Sequence, residues 1–196
     1  MVAILAISAL PIVEPGSANA AAPVTPNAAA ASLPLPPYGW TSTHLEVGLA
    51  DSPGGAAALH ASGSYKFRYQ YLCGGVNTGT GWATWNAGAK FADYYVDESV
   101  AAGMTPVFIY YQLLQSSPAG GDEGTADRSN LKNASTMSSY WADFTLLLKH
   151  MGAYSSAVVV DIEPDLWGYI QQASAGDNGA SVEAAVARTR QRLPAT

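Results

Sequence analysis

Residues 156–165, SAVVVDIEPD, carry three consecutive valines straight into three acids at alternate positions, Asp161, Glu163 and Asp165. A run of β-branched residues this apolar reads as a strand buried on both faces, the kind that parallel sheets are made of. Carboxylates that follow such a run are costly unless the strand opens to solvent where they emerge. Parallel sheets provide that opening at the C-terminal ends of their strands, where active sites gather. Pro164 lacks the N–H that a continuing ladder needs, so the strand is expected to end close to Glu163. With an extended chain through all three acids, their side chains share one face, while Val160 and Ile162 pack against covering helices.

The segments before this strand repeat one order. YKFRYQYL (65–72) alternates aromatic and polar side chains at period two and predicts a strand. Residues 89–102 predict a helix with Phe91, Tyr94, Tyr95 and Ala102 on one face, ended by Gly103. TPVFIYYQLL (105–114) predicts a second strand, and residues 115–135 read as a polar connection. Met137, Tyr140, Trp141, Phe144, Leu147, Leu148 and Met151 recur at three and four, a strong amphipathic helix closed by Gly152. HLEVGLAD (44–51) fits a further short strand or an extended lead into the first unit, and residues 180–192 a further helix. Strand–helix repetition with buried strands predicts an α/β fold: about three βα units of a parallel sheet, a partial (β/α)8 arrangement like a TIM barrel.

Outside this repeat the chain changes character. Val2–Leu10 is an apolar run broken by Pro11 and Pro15 and followed by Ala18-Asn19-Ala20, a small-x-small pattern. It reads as a signal peptide, residues 1–20, although no Lys or Arg precedes the apolar run. Secretion with cleavage near Ala20 is expected, and the run is far short of the ~20 residues that span a bilayer. Residues 21–37 are Ala/Pro-rich and read as a linker, which leaves 38–196 for the folded domain.

Composition removes several functions. A net charge of −6 with only 9 Lys and Arg argues against nucleic acid, whose phosphates need a basic surface. Cys73 is the only cysteine, so no intrachain disulfide and no cysteine-based metal cluster can form; it reads as a buried small residue. The glycine-rich turn CGGVNTGTGW (73–82) matches neither phosphate-loop pattern. Ser52 does not sit in a nucleophile elbow, and nothing marks His44, His60 or His150 as a base. The spacing of the acids matches no calcium loop, and neither metal nor cofactor is expected.

What remains is a carboxylate site ringed by aromatics. Trp82 and Trp85 follow the first strand, Tyr110, Tyr111 and Gln112 lie near the end of the second, and Trp167 follows the acids. Flat rings with one wet edge stack on the apolar faces of sugars, while amides and carboxylates bind hydroxyls. Glu163 is the candidate general acid/base, with Asp161 raising its pKa or serving as nucleophile; Asp165, Trp82, Trp85, Tyr110, Tyr111, Gln112 and Trp167 are candidate substrate contacts. Asp122, Glu123, Asp127 and Arg128 in the 115–135 connection either read substrate or simply face solvent.

The stretches GLADSPGG (48–55), FRYQYLCGGVNTGTGWATWN (67–86), AAGMTPVFIYYQLLQS (101–116) and VVVDIEPDLWGYIQQ (158–172) resemble the N-terminal part of secreted bacterial glycoside-hydrolase-like (β/α)8 proteins. The resemblance covers about residues 38–180 and implies a carbohydrate-binding face lined by Glu163, Asp165, Tyr111, Trp82 and Trp167. A complete barrel takes about 250 residues, so a truncated product is expected, with a distal carboxylate supplied by later strands. Three readings follow: a polysaccharide or oligosaccharide hydrolase, inactive if it is a fragment; a non-catalytic secreted carbohydrate-binding or cell-surface protein; and a small structural α/β domain. The oligomeric state is open.

Overall fold

A computed structural model of the chain describes residues 2–4, 45–118 and 120–185. Its centre is one parallel sheet of five strands: β1 (Val2–Ile4), β2 (Gly48–Ala50), β3 (Phe67–Leu72), β4 (Thr105–Tyr110) and β5 (Val158–Ile162), in the spatial order β1-β5-β4-β3-β2. From β2 to β5 the order follows the sequence. The connections carry α1 (Ala56–Ser62), α2 (Phe91–Ala101), α3 (Glu123–Lys132) and α4 (Ala134–Met151), and α5 (Leu166–Ala173) follows β5. This is a partial parallel β/α arrangement of four βα units, like part of a TIM barrel. The 44–51 segment supplies the extra unit through β2 and α1.

The long predicted helix is α4. Asn133 caps it, its side-chain oxygen accepting from the amides of Ser135 and Thr136 at 3.0 Å each. Met137, Tyr140, Phe144, Leu147 and Met151 form its buried stripe. On α2 the buried face is Ala92, Tyr95, Val96 and Ser99, and Tyr94, expected on that face, is 56% exposed. The polar 115–135 connection contains α3, whose start is fixed by Asp122 accepting from the Thr125 amide at 2.9 Å. Its few apolar residues hid the helix: one short stripe suffices when the neighbours supply the rest of the core. Residues 179–181 form a 3₁₀ turn and no helix extends to 185; the remainder of the predicted 180–192 helix, the Ala20 cleavage position and the linker lie outside the described residues.

The two faces of the sheet differ. Leu72, Phe108, Tyr110, Val158 and Val160 pack under the helices as the core. The opposite, concave face presents Phe67, Tyr69, Tyr71, Val107, Ile109 and Val159 to a cavity of about 430 Å³. Among the described residues the helices cover one face of the sheet, while the valines of β5 are buried on both, Val158 and Val160 under the helices and Val159 at the floor of the cavity. In β3 the aromatic side chains take the concave face, and it is Arg68 that is fully buried under the helices. Its guanidinium donates to Asp51 (2.7 Å), Ser99 Oγ (3.0 Å) and the Ser52 carbonyl (2.6 Å), pairs with Glu98 at 2.5 Å, and lies 4.0 Å from the Tyr95 ring centroid. Saturating the fork is what lets a charge sit in the core.

Val2–Ile4, the first residues of the run read as a leader, form one of the two edge strands. Val2, Ala3 and Ile4 pair in parallel with Val158, Val159 and Val160.

Candidate functional site

Parallel register stacks the concave face in rows. Tyr69, Val107 and Val159 are paired in one row, and Tyr71, Ile109 and Asp161 in the next row toward the strand ends. Asp161 is thus the acid that the β5 alternation delivers to the concave face, and Asp165 and Pro164 border the same cavity just beyond. Burial, and then the charge of Asp165, raise the Asp161 carboxyl above its ordinary range. The Tyr71 hydroxyl is also held high, by burial, Tyr69 and the charges of Asp165 and Asp161. Tyr71, Asp161 and Asp165 all border this one cavity. Tyr71, 45% exposed, packs edge-on against Tyr69 (6.4 Å) and Tyr111 (6.3 Å).

Glu163 leaves this face. Its backbone amide still bonds the Tyr110 carbonyl at 2.8 Å, but its φ of 47° is left-handed and breaks the alternation. The side chain is 1% exposed and borders a second cavity, on the helix side. There its carboxylate accepts from the amides of Gln112 (2.9 Å) and Leu113 (3.2 Å). Burial pushes its pKa up to about 8 against those hydrogen bonds, with the charge of Asp127 adding to the rise. The expectation that all three acids share a face is therefore corrected. Glu163 ties the end of β5 to the chain leaving β4.

The expected aromatic wall divides in the same way. Trp82 and Tyr110 are wholly buried; Trp82 Nε1 (2.7 Å) and the Tyr110 hydroxyl (2.8 Å) both donate to Asp143. Gln112 is also buried, its Nε2 donating to the Leu72 carbonyl at 2.9 Å. These three form the packing behind the site and offer a solute no surface. Trp85 is 40% exposed, but its ring stands edge-on to Phe91 at 4.7 Å and its Nε1 donates to the Thr80 carbonyl at 3.0 Å. Trp167, 48% exposed, borders the helix-side cavity, with its Nε1 donating to the Ile162 carbonyl at 2.9 Å. Tyr111 is the expected aromatic that the structure brings to the edge of the concave face. Its hydroxyl donates to Glu123, which also accepts from Tyr169 at 3.3 Å.

Two concave-face rings, Tyr69 and Tyr71, were not among the candidates. The period-two pattern of 65–72 carried the signal, but it does not say which face of the strand lies under helices. The glycine-rich turn is explained by close packing. A Cβ on Gly75, whose φ is +79°, would come within 2.6 Å of the Gln115 carbonyl oxygen. Asp127 is a further buried acid: both its oxygens lack hydrogen-bond partners, and burial, followed by Glu123 and Asp165, raises its pKa to about 6. No group of three or more His, Cys, Asp or Glu side chains among the described residues is arranged to hold a metal ion.

The fold and site define an α/β protein with a TIM-barrel-like parallel sheet and an acid-bearing concave face. Comparison with protein-family models, curated proteins and solved structures found no match. Among the described residues no helix is long and apolar enough to cross a membrane.

Proposed function

We propose that the concave face binds a glycan chain and hydrolyses it, with Asp161 as general acid and Asp165 as base or nucleophile. One observation carries this reading: Asp161 and Asp165 border the same open cavity beside Tyr69 and Tyr71. Carbohydrate hydrolysis uses two carboxyl groups whose environments differ, one held protonated and one exposed. Asp161, half-buried and raised by its surroundings, suits the first role, and solvent-exposed Asp165 suits the second. Tyr71 and Tyr111 supply rings for stacking at the cavity edge. Glu163 becomes a positioning residue that fixes the strand end carrying both acids. The N-terminal run with its Ala18-Asn19-Ala20 pattern supports export, with cleavage near Ala20.

Reducing-end release from a panel of soluble polysaccharides tests this. Asp161→Asn is expected to lower turnover at least ~100-fold, the scale of general acid catalysis, while sugar binding persists. Unchanged turnover in both Asp161→Asn and Asp165→Asn defeats the assignment. A second reading, glycan binding without cleavage, draws on the burial of Glu163 away from the cavity. A folded chain that binds glycans through Tyr71 and cleaves none of them selects that reading.

A further inference from the structure

The polar side chains around the concave cavity are Tyr69, Tyr71, Asp161 and Asp165. Among the described residues none of the four engages its hydroxyl or carboxylate in a hydrogen bond or ion pair within the fold. On the helix side the opposite holds. Glu163 is taken up by the Gln112 and Leu113 amides, and Asp143 by Trp82 and Tyr110. The free groups of the concave face are also one-sided in chemistry. An ionised carboxylate only accepts, and Pro164 at the rim has no N–H to offer. No Lys, Arg or His lines the cavity, and the one cation of β3, Arg68, is fully buried under the helices. At the edge, Tyr111 reaches a further acid, Glu123.

We propose that the concave face takes a glycan built from amino sugars with free amines, whose ammonium groups pair with Asp165 while the sugar rings lie on Tyr71. This names a substrate class for the glycan-hydrolysing reading and rests on it. An ammonium has three donors and no acceptor, which matches a wall of acceptors. A neutral sugar hydroxyl both gives and receives, and of the four side chains only the two tyrosines have an O–H that gives whatever the charge state of the acids. A uronic acid would set a like charge beside Asp161 and Asp165, which is repulsive. The rings favour the same ligand, because a cation held over an aromatic face gains further attraction. Asp161, whose carboxyl is raised by burial, holds the proton for the glycosidic oxygen, and the more exposed Asp165 is the anion that meets the amine.

Calorimetric titration of the full chain in mildly acidic, low-salt buffer, where the sugar amines carry their protons, tests this preference. Chitosan oligomers and α-1,4-linked galactosamine oligomers are each compared with their fully N-acetylated forms, which keep the linkage and lose the charge. Each amine form is expected to bind at least ~fivefold more tightly than its acetylated partner, the scale of one good exposed ion pair. Oligogalacturonate should bind most weakly. Asp165→Asn should bring the two forms of each pair to within ~twofold, and Tyr71→Ala should weaken both forms. Acetylated forms that bind as tightly as the amines overturn the inference, as does a preference unmoved in Asp165→Asn. Pentalysine bound as tightly as the amine oligomers also overturns it, by reducing recognition to charge alone. Cleavage of neutral polysaccharides without binding of any amine oligomer removes this inference and leaves the hydrolase reading intact. A chain that neither binds nor cleaves any glycan removes both.

Discussion

Asp161 and Glu163 stand two residues apart at the end of one strand and face opposite sides of the sheet. Asp161 borders the concave cavity, and Glu163 borders the apolar one behind it. The reversal is made by the left-handed backbone of Glu163, φ 47°, immediately before Pro164. A left-handed non-glycine residue costs roughly 1–2 kcal/mol. Here it is offset by the Gln112 and Leu113 amides that the Glu163 carboxylate receives. The strained residue therefore serves as a brace between β4 and β5, directly behind the acids of the open face.

This brace has a pH signature. Glu163 has a folded-state pKa of about 8, against 4.5 for the free side chain. A raised pKa means that the folded state binds the proton more tightly. Its contribution to stability is full below about 4.5 and is lost as pH rises through about 8. Asp127, raised to about 6 from 3.8, adds a loss in the same direction over a lower window. Denaturation midpoints should therefore fall between pH 5 and pH 8, and Glu163→Gln should flatten most of that slope. Glu163→Ala should destabilise at every pH, by about 1–3 kcal/mol for each amide left unpaired. Urea titrations across this range decide the matter, and a slope identical in Glu163→Gln and the parent would exclude Glu163 as its source.

Trp82 separates packing from sugar recognition. Its Nε1 and the Tyr110 hydroxyl both converge on Asp143, whose carboxyl is raised by burial and lowered by those two donors. Trp82→Phe keeps most of the ring volume and removes one donor from a buried acid. The expected cost is about 1–3 kcal/mol, with glycan affinity unchanged. Thermal melts and a sugar titration measure the two effects, and weakened sugar binding at full stability would return Trp82 to the binding surface.

Arg68 is the charged keystone under β3. Arg68→Ala leaves Asp51 and Glu98 without their shared cation, and breaking a buried pair in this way costs about 3–5 kcal/mol. Arg68→Lys keeps the charge but not the fork that reaches Asp51, Ser99 and Ser52 together, so it should recover only part of the loss. Equal stability of the lysine variant and the parent would show that charge alone suffices.

Strands β3, β4 and β5, the α2 and α4 helices and the parallel order are legible because burial imposes a period on them, whereas three-residue β1 and β2 are too short to show one. Met137 to Met151 could hardly be read otherwise, and Val158–Val160 could be only a covered strand. Legibility failed where one side chain or one dihedral decided the outcome. Nothing about Glu at 163 announces a positive φ, so extrapolating the strand put its carboxylate on the wrong face. Arg68 looks like a solvent residue until four partners from two distant segments, Asp51 and Ser52 after β2 and Glu98 and Ser99 on α2, saturate it. Trp82 and Tyr110 resemble sugar platforms in sequence; only Asp143, distant in the chain, reveals them as buried donors. Helix α5 leaves little trace in the sequence because it is only eight residues long, too short for its apolar residues to establish a period.

The edge beside the acids gives the last prediction. β5 is bonded on one side to β4 and on the other to Val2–Ile4, in the register Val2 to Val158 and Ile4 to Val160. Those three residues fall within the segment expected to be removed on export. Removing residues 1–20 would strip β5 of its outer partner and leave an apolar strand with unpaired backbone groups, a template for pairing with other chains. Alternate amides of Val158–Ile162 should then exchange at least ~tenfold faster, while those bonded to β4 keep their protection, since the two sides of a parallel strand are bonded by alternate residues. The shortened chain should also self-associate at lower concentration than the full chain, measurable by light scattering across a dilution series. Unchanged exchange along β5 after removal would show that Val2–Ile4 is not what protects this edge.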